Sequence, residues 1–218
     1  MVIGLLTIAA IPSTIGVCEA MSAQKKQNEA DKEKAKFKAT ADLSLAGEPP
    51  QEAVVVLIGG RLFLDHPDCR VAYGRAHPFS GYYFNYPGDE PKLGLVSTIA
   101  DDPPMLNWIY ADKDSGRLLH AGRKDTIGHY VGPWGWSSDD KWLTYEGDAT
   151  RFVAAQEEIA IGDQVLPVWG IYMQDPDAED DVADGRGVPI LIRRSFGMES
   201  RFVRDSQREK AGLKERES

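Results

Sequence analysis

The chain has 218 residues, 42% hydrophobic and 27% charged, with a net charge of −9. That is the make-up of a folded soluble domain with one sizeable core and some chain left over for tails, and two cysteines exclude a disulfide framework. The charge is uneven: residues 39–196 hold 13 basic and 25 acidic side chains, a net of 13 − 25 = −12, so nucleic acid is excluded as a partner of the core and a neutral or cationic one is expected.

Residues 1–18, MVIGLLTIAAIPSTIGVC, carry no charged side chain. Three readings stand side by side. A signal peptide fits the apolar run and the small residues around Ala20, but no Lys or Arg precedes it. A membrane anchor fits its length at the lower limit, with Pro12 inside the run. A packed helix fits best, because Ser13 or Thr14 can cap a new helix reaching about Lys38, polar from Gln24 onward. The expected plan is thus a helical extension over 1–38, a β domain over 39–196 and a charged tail over 197–218. Cys18 and Cys69 make no disulfide framework and suit a reducing compartment. An intracellular location, cytoplasmic or membrane-associated, is therefore favoured over secretion. His and Cys lack metal-ligand spacing, so no metal or other cofactor is expected.

Residues 39–51 read as a linker or first edge strand, ended by Pro49-Pro50. The run Val54–Ile58, then Gly59-Gly60, then Arg61–Leu64 is a hairpin with a primed two-residue turn. Phe79–Tyr86 and Gly94–Ile99 are further strands. Met105–Ala111 and Arg117–His120 form a second hairpin around residues 112–116. Trp142–Glu146 and Arg151–Gln156 are expected to form a third around Gly147-Asp148. Val165–Met173 and Val188–Phe196 complete about ten short strands with no helix between residues 52 and 196. Such spacing specifies an all-β fold, an antiparallel sandwich or barrel, behind the N-terminal helical extension.

Two stretches, VIGLLTIAAIPSTIGVCEAMSAQKKQNE at 2–29 and GLVSTIADDPPMLNWIYADKDSG at 94–116, with GPW at 132–134, resemble a family of uncharacterised filamentous-fungal proteins. The resemblance covers most of the chain. Some members carry a ricin-B-lectin-like label. This chain lacks the repeated Gln-x-Trp motifs of a ricin-type trefoil, and no repeat of trefoil length is visible, so the label is not carried over. The resemblance implies no catalytic residues. The Ile11-Pro12 step looks like part of the family's pattern, which favours an anchor or packed helix over a signal peptide.

Four features could carry chemistry. Asp101-Asp102-Pro103-Pro104 sets two carboxylates on a rigid turn near Trp108, either as acid/base or ligand groups or simply as a turn whose Asp bonds nearby backbone. His66, His77 and His129 sit in loops near aromatics and acids, with no nucleophile motif beside them. Residues 174–187 are acid-rich but lack the EF-hand glycine and distal Glu, so a solvated loop is the simpler reading. Thirteen of the twenty aromatics lie between Tyr73 and Tyr145, enough to build either a β core or a sugar-stacking face. On β alternation, Tyr82, Phe84 and Tyr86 share one face, and Trp134 and Trp136 share another.

The sequence therefore points to a non-enzymatic β-rich binding or interaction module. Its expected partner is a protein or a small neutral ligand such as a carbohydrate. The candidate ligand-binding residues are Tyr82, Tyr86, Asp101, Asp102, Trp108, His129, Trp134 and Trp136. Two alternatives are a hydrolase using Asp101/Asp102 with a loop histidine, and a membrane-tethered accessory protein contacting lipid through residues 1–18.

Overall fold

The computed structural model describes residues 35–45, 49–66, 76–88, 90–101, 103–161, 163–174 and 187–195. The expected helix before residue 35, most of the acidic loop and the charged tail lie outside the described residues.

The strands come in three successive groups. The first is β1 (Lys38–Leu43), β2 (Gln51–Ile58), β3 (Arg61–Asp65), β4 (His77–Pro78) and β5 (Gly81–Tyr86). The second is β6 (Lys92–Asp101), β7 (Pro104–Ala111), β8 (Leu118–Ala121), a 3-10 turn at Arg123–Thr126, and β9 (Trp134–Trp136). The third is β10 (Leu143–Tyr145), β11 (Phe152–Ile161), β12 (Gln164–Met173), β13 (Val188–Pro189) and β14 (Leu191–Ser195).

Each group contains a hairpin, and the first two have a local cause among the described residues. Between β2 and β3, Gly59 and Gly60 have φ of 54° and 84°, the left-handed conformations that a primed turn demands and glycine adopts cheaply. Ile58 then pairs with Arg61, as the sequence predicts. Between β7 and β8, Asp112 Oδ1 accepts from the backbone N–H groups of Asp114 and Ser115 and from the Ser115 hydroxyl. This is the turn chemistry that Asp supplies, and Ala111 pairs with Leu118 across it. The third hairpin is β11–β12, in register from Phe152↔Met173 to Ile161↔Gln164.

After each hairpin the chain returns along the first strand of that hairpin. His77 and Pro78 pair with β2, Tyr130 bridges Ala111 of β7, and β13 pairs with β11. The remaining strands form a ring. β1 pairs with β14, and Arg193 of β14 bridges Trp142, just ahead of β10. β10 pairs with β9, and β9 packs against β6. β6 pairs with β5, and Gly81 of β5 bridges Phe37, which closes the circuit to β1. The three hairpins meet at one end: β3 touches β8 at Arg61↔Leu119 and β12 at Leu64↔Trp169, and Arg117 bridges Tyr172. The result is a strand ring capped by three hairpins in a threefold arrangement.

The core fills the ring. Phe37, Leu43, Leu64, Phe79, Tyr83, Leu95, Ile109, Trp134, Tyr145, Phe152, Ile171 and Ile192 are buried in one cluster. Each fully buried large apolar side chain contributes about 1.5–3 kcal/mol.

The structure corrects several expectations. The fold is all-β and antiparallel as expected, and of the two architectures that the spacing allowed it is of the barrel kind, a capped strand ring. Among the described residues fourteen strands are present, because short return segments pair where the sequence shows only loops. Phe37 and Lys38, expected at the end of a helix, are extended, since Phe37 exchanges backbone hydrogen bonds with Gly81. β1 is no edge strand, because it pairs on both sides. The expected hairpin of Trp142–Glu146 with Arg151–Gln156 does not form. Its turn exists, with Glu146 and Gly147 at φ of 53° and 82°, but pairing stops at Tyr145↔Asp148. β10 then takes β9 as its ladder partner, and β11 takes β12.

Candidate functional site

The sheet β5–β6–β7 presents a face to solvent that is unusually rich in rings. Strand alternation sends Tyr83 inward, where it is buried and its hydroxyl donates to the Gly135 carbonyl at 2.8 Å. Tyr82, Phe84 and Tyr86 point the other way. Phe84 is 56% exposed, while Tyr82 and Tyr86 are half-buried. Across the sheet, Tyr82 pairs with Val96 and Val96 with Trp108. Trp108 is also half-buried.

Gly94 gives the indole its place. A Cβ there would lie 2.5 Å from Trp108 Cζ3, so any side chain would displace the ring. With hydrogen at that position, Trp108 reaches Phe84 and Tyr86. It meets Tyr86 edge-on at 4.9 Å and 75°, and Phe84 at 6.2 Å and 64°. Such edge-to-face pairs fix ring orientation beyond what burial alone does.

The 3-10 turn closes one end of this face. Thr126 Oγ1 donates to the Arg123 carbonyl at 2.9 Å, so the Tyr86 hydroxyl, 2.8 Å away, donates to Thr126 Oγ1. Arg123 Nη2 donates to the Pro87 carbonyl at 2.9 Å. The turn is therefore tied to the end of β5 from two sides.

Of the residues singled out from sequence, Tyr82, Tyr86 and Trp108 come together here. Trp134 and Trp136 do not. Trp134 is 2% exposed, stacks on Phe152 at 6.1 Å and 5°, and donates its indole N–H to the Val131 carbonyl. Trp136 packs against Phe37 and Tyr83 beneath the Arg194 guanidinium. Both belong to the ring's interior. The backbone of Asp101 pairs with Pro104 across the β6–β7 turn. Asp102 lies outside the described residues.

His129 sits elsewhere, against Tyr110 at 5.2 Å. Its Nδ1 accepts the Lys113 backbone N–H and lies 3.3 Å from Asp112 Oδ2. Asp112 is held below the usual carboxylate range. Burial pushes its pKa up, but hydrogen bonds from Ser115 and the neighbouring His129 outweigh that. This carboxylate organises a turn. His66 is 1% exposed, and His120 is pushed down to about 4, by burial first and then by the nearby charge of His77. Among the described residues no group of three or more His, Cys, Asp or Glu side chains is placed to hold a metal. No described helix is long and apolar enough to cross a membrane.

Sequence reasoning left Phe84 and Gly94 off the ligand-binding set. Alternation already placed Phe84 beside Tyr82 and Tyr86. Gly94 had no such signal, because its role depends on a ring arriving from the next strand.

A family model described as a fungal beta-trefoil domain matches residues 16–195. No curated protein and no solved structure matches the chain.

Proposed function

The chain belongs to the fungal β-trefoil domain family, and from that premise we propose that it is a non-catalytic binding module whose ligand is a neutral saccharide held on the Phe84–Tyr86–Trp108 face. The trefoil fold is typical of modules that bind carbohydrates or proteins. Fold alone assigns no site, so the face itself has to supply the reason.

The observation that carries the reading is the placement of three rings on one solvent-facing sheet, held by Gly94 and by the docked 3-10 turn. Pyranose rings present C–H faces that stack on aromatic rings, and their hydroxyls need hydrogen-bond partners at the rim. The half-buried Tyr86 hydroxyl, whose proton goes to Thr126, keeps acceptor capacity there, and exposed Lys92, paired in register with Tyr86, supplies a donor. A neutral ligand also suits a domain with 13 basic and 25 acidic side chains, a net of −12.

The test is a titration of the full chain with neutral methyl glycosides and oligosaccharides, followed by Trp emission. Trp108→Ala and Phe84→Ala should each weaken binding at least tenfold while leaving the fold intact by circular dichroism. Equal affinity in wild type and Trp108→Ala would remove this face as the site.

A further inference from the structure

The third hairpin is the longest of the three capping arms. β11 and β12 run ten residues each, against eight and five in β2–β3 and eight and four in β7–β8. Strands flank only its base: β13 pairs with β11 at Val153 and Ala154, and β3 pairs with β12 at Trp169 and Gly170. Toward the tip, from Glu158 on β11 and up to Val168 on β12, no other described strand pairs with the arm.

The hydrogen bonds at the base tell which backbone groups face outward. In an antiparallel ladder both groups of a residue point to one side, and the sides alternate along the strand. The Phe152 carbonyl accepts from the Ile190 N–H, on the side away from β12. Even-numbered residues of β11 share that side, so Glu158 and Ala160 turn their N–H and C=O groups outward. On β12 the Met173 N–H donates to the Gly116 carbonyl, on the side away from β11. Odd-numbered residues of β12 therefore face outward, and one of them is Pro167, which has no N–H to offer. The β12 edge is closed to a pairing strand at that point, and the β11 edge is not.

An open edge is a template for an added strand unless it is blunted. Here the blunting is by charge. Glu158 is exposed, as is Asp163 at the turn, on a domain with 13 basic and 25 acidic side chains, a net of −12. A second copy would bring its own Glu158 and Asp163 to this edge, so self-pairing is opposed. A strand with Lys or Arg opposite Glu158 gains where a second copy loses. Around that charge the arm is apolar. Ile159 is half-buried on one face, and on the other Ala160 pairs with Val165, which is 61% exposed. The matching segment carries a basic residue opposite Glu158 and apolar ones opposite Ile159 and Ala160.

We propose that the outer edge of β11 takes up an extended basic segment of a partner protein as an added strand, its backbone on Glu158 and Ala160 and a Lys or Arg on the Glu158 carboxylate. Two residues offer few backbone hydrogen bonds, so the charge pair and the apolar neighbours decide which segment is accepted. The contact uses none of the residues of the saccharide face on β5–β7.

The experiment titrates the full chain into fluorescein-labelled acetyl-Lys-Val-Val-Lys-Val-Val-Lys-amide and follows anisotropy. One control peptide has Glu in place of each Lys, and a second is N-methylated at alternate amides. The Lys peptide should bind at least tenfold tighter than either control. Amide exchange should slow at Glu158 and Ala160 when it binds and stay unchanged at Ile159, whose N–H faces β12. Glu158→Lys should reverse the preference between the Lys and Glu peptides. Ala160→Pro, which removes an outward N–H and keeps the β12 ladder, should weaken binding at least tenfold. Equal binding of the Lys and Glu peptides, an unchanged preference in Glu158→Lys, or exchange unaltered at Glu158 and Ala160 overturns the inference. So does a dimer of the free chain that Ala160→Pro abolishes, since the edge would then belong to a second copy. Affinity for free methyl glycosides should be the same in every variant, and the saccharide reading stands or falls on that titration alone.

Discussion

The Trp108 indole lies across Gly94, so closely that a methyl group on Gly94 would come within 2.5 Å of Cζ3. Gly94→Ala should therefore expel the ring and destabilise the domain by about 1–3 kcal/mol, the usual cost of overpacking. Urea unfolding should show the lower midpoint, and a red-shifted Trp emission should report the exposed indole. Saccharide binding should fall with it. A variant with unchanged emission would mean that the indole is not held by this contact.

Tyr86 offers a way to separate the ring from its hydroxyl. Tyr86→Phe keeps the edge-on contact with Trp108 but removes the hydrogen bond to Thr126. The expected loss is about 0.5–1.5 kcal/mol. Amide exchange should rise in the 3-10 turn at Arg123–Thr126, since of its two side-chain ties to the end of β5 described above the Arg123–Pro87 contact alone would remain. Exchange unchanged there would show that the turn is held by other means.

His120 makes stability depend on pH. The folded domain keeps this imidazole neutral down to about 4, whereas an unfolded chain protonates it near 6.5. Because the folded pKa is the lower one, the unfolded state binds the extra proton between these values. Stability is full above about pH 6.5 and declines as pH falls toward 4. Part of the ring reaches solvent, so the contribution is discounted to about 1–2 kcal/mol. Its environment names the cause: Nδ1 accepts from Asn107 Nδ2 at 3.1 Å, Nε2 is buried with no hydrogen-bond partner among the described residues, and His77 is close enough to repel a second charge. Urea midpoints at pH 7 and pH 4.5 should differ less in His120→Asn than in wild type. The same difference in both proteins would rule His120 out as the source.

Two of the capping hairpins are locked together by a polar triad. Arg117 Nη2 sits 2.7 Å from Glu157 Oε2, which also accepts from the Tyr172 hydroxyl at 3.1 Å. Gly170 leaves the space for this, since a Cβ there would meet Glu157 Oε1 at 2.5 Å. Arg117→Met should cost about 1–2 kcal/mol by leaving a largely buried carboxylate short of partners. Adding Glu157→Gln should recover part of the loss, a coupling that a double-mutant cycle measures directly. Purely additive effects would show that the two side chains act independently.

The elements legible in the sequence were those with local causes. Gly59-Gly60 dictates its turn because only glycine takes two consecutive left-handed conformations cheaply, and the Asp112 turn follows from a side chain bonding its own neighbours. Alternation along Gly81–Tyr86 set Tyr82, Phe84 and Tyr86 against Tyr83 before any partner strand was known. The same rule, applied to Trp134 and Trp136, put them on one face but could not say that this face is the interior.

What tertiary structure alone decided was which strand lies beside which. Tyr145 and Asp148 carry a valid hairpin signal, yet β10 pairs with β9, because a turn fixes the direction of the chain but not the ladder that wins the backbone hydrogen bonds over a longer stretch. The threefold plan was equally hidden. Its three hairpins are related by backbone pairing rather than by repeated residues, and backbone hydrogen bonds carry no side-chain signature. The candidate face has the same origin: Gly94, Trp108 and Phe84 lie on three strands, and only the register between those strands places an indole over a glycine.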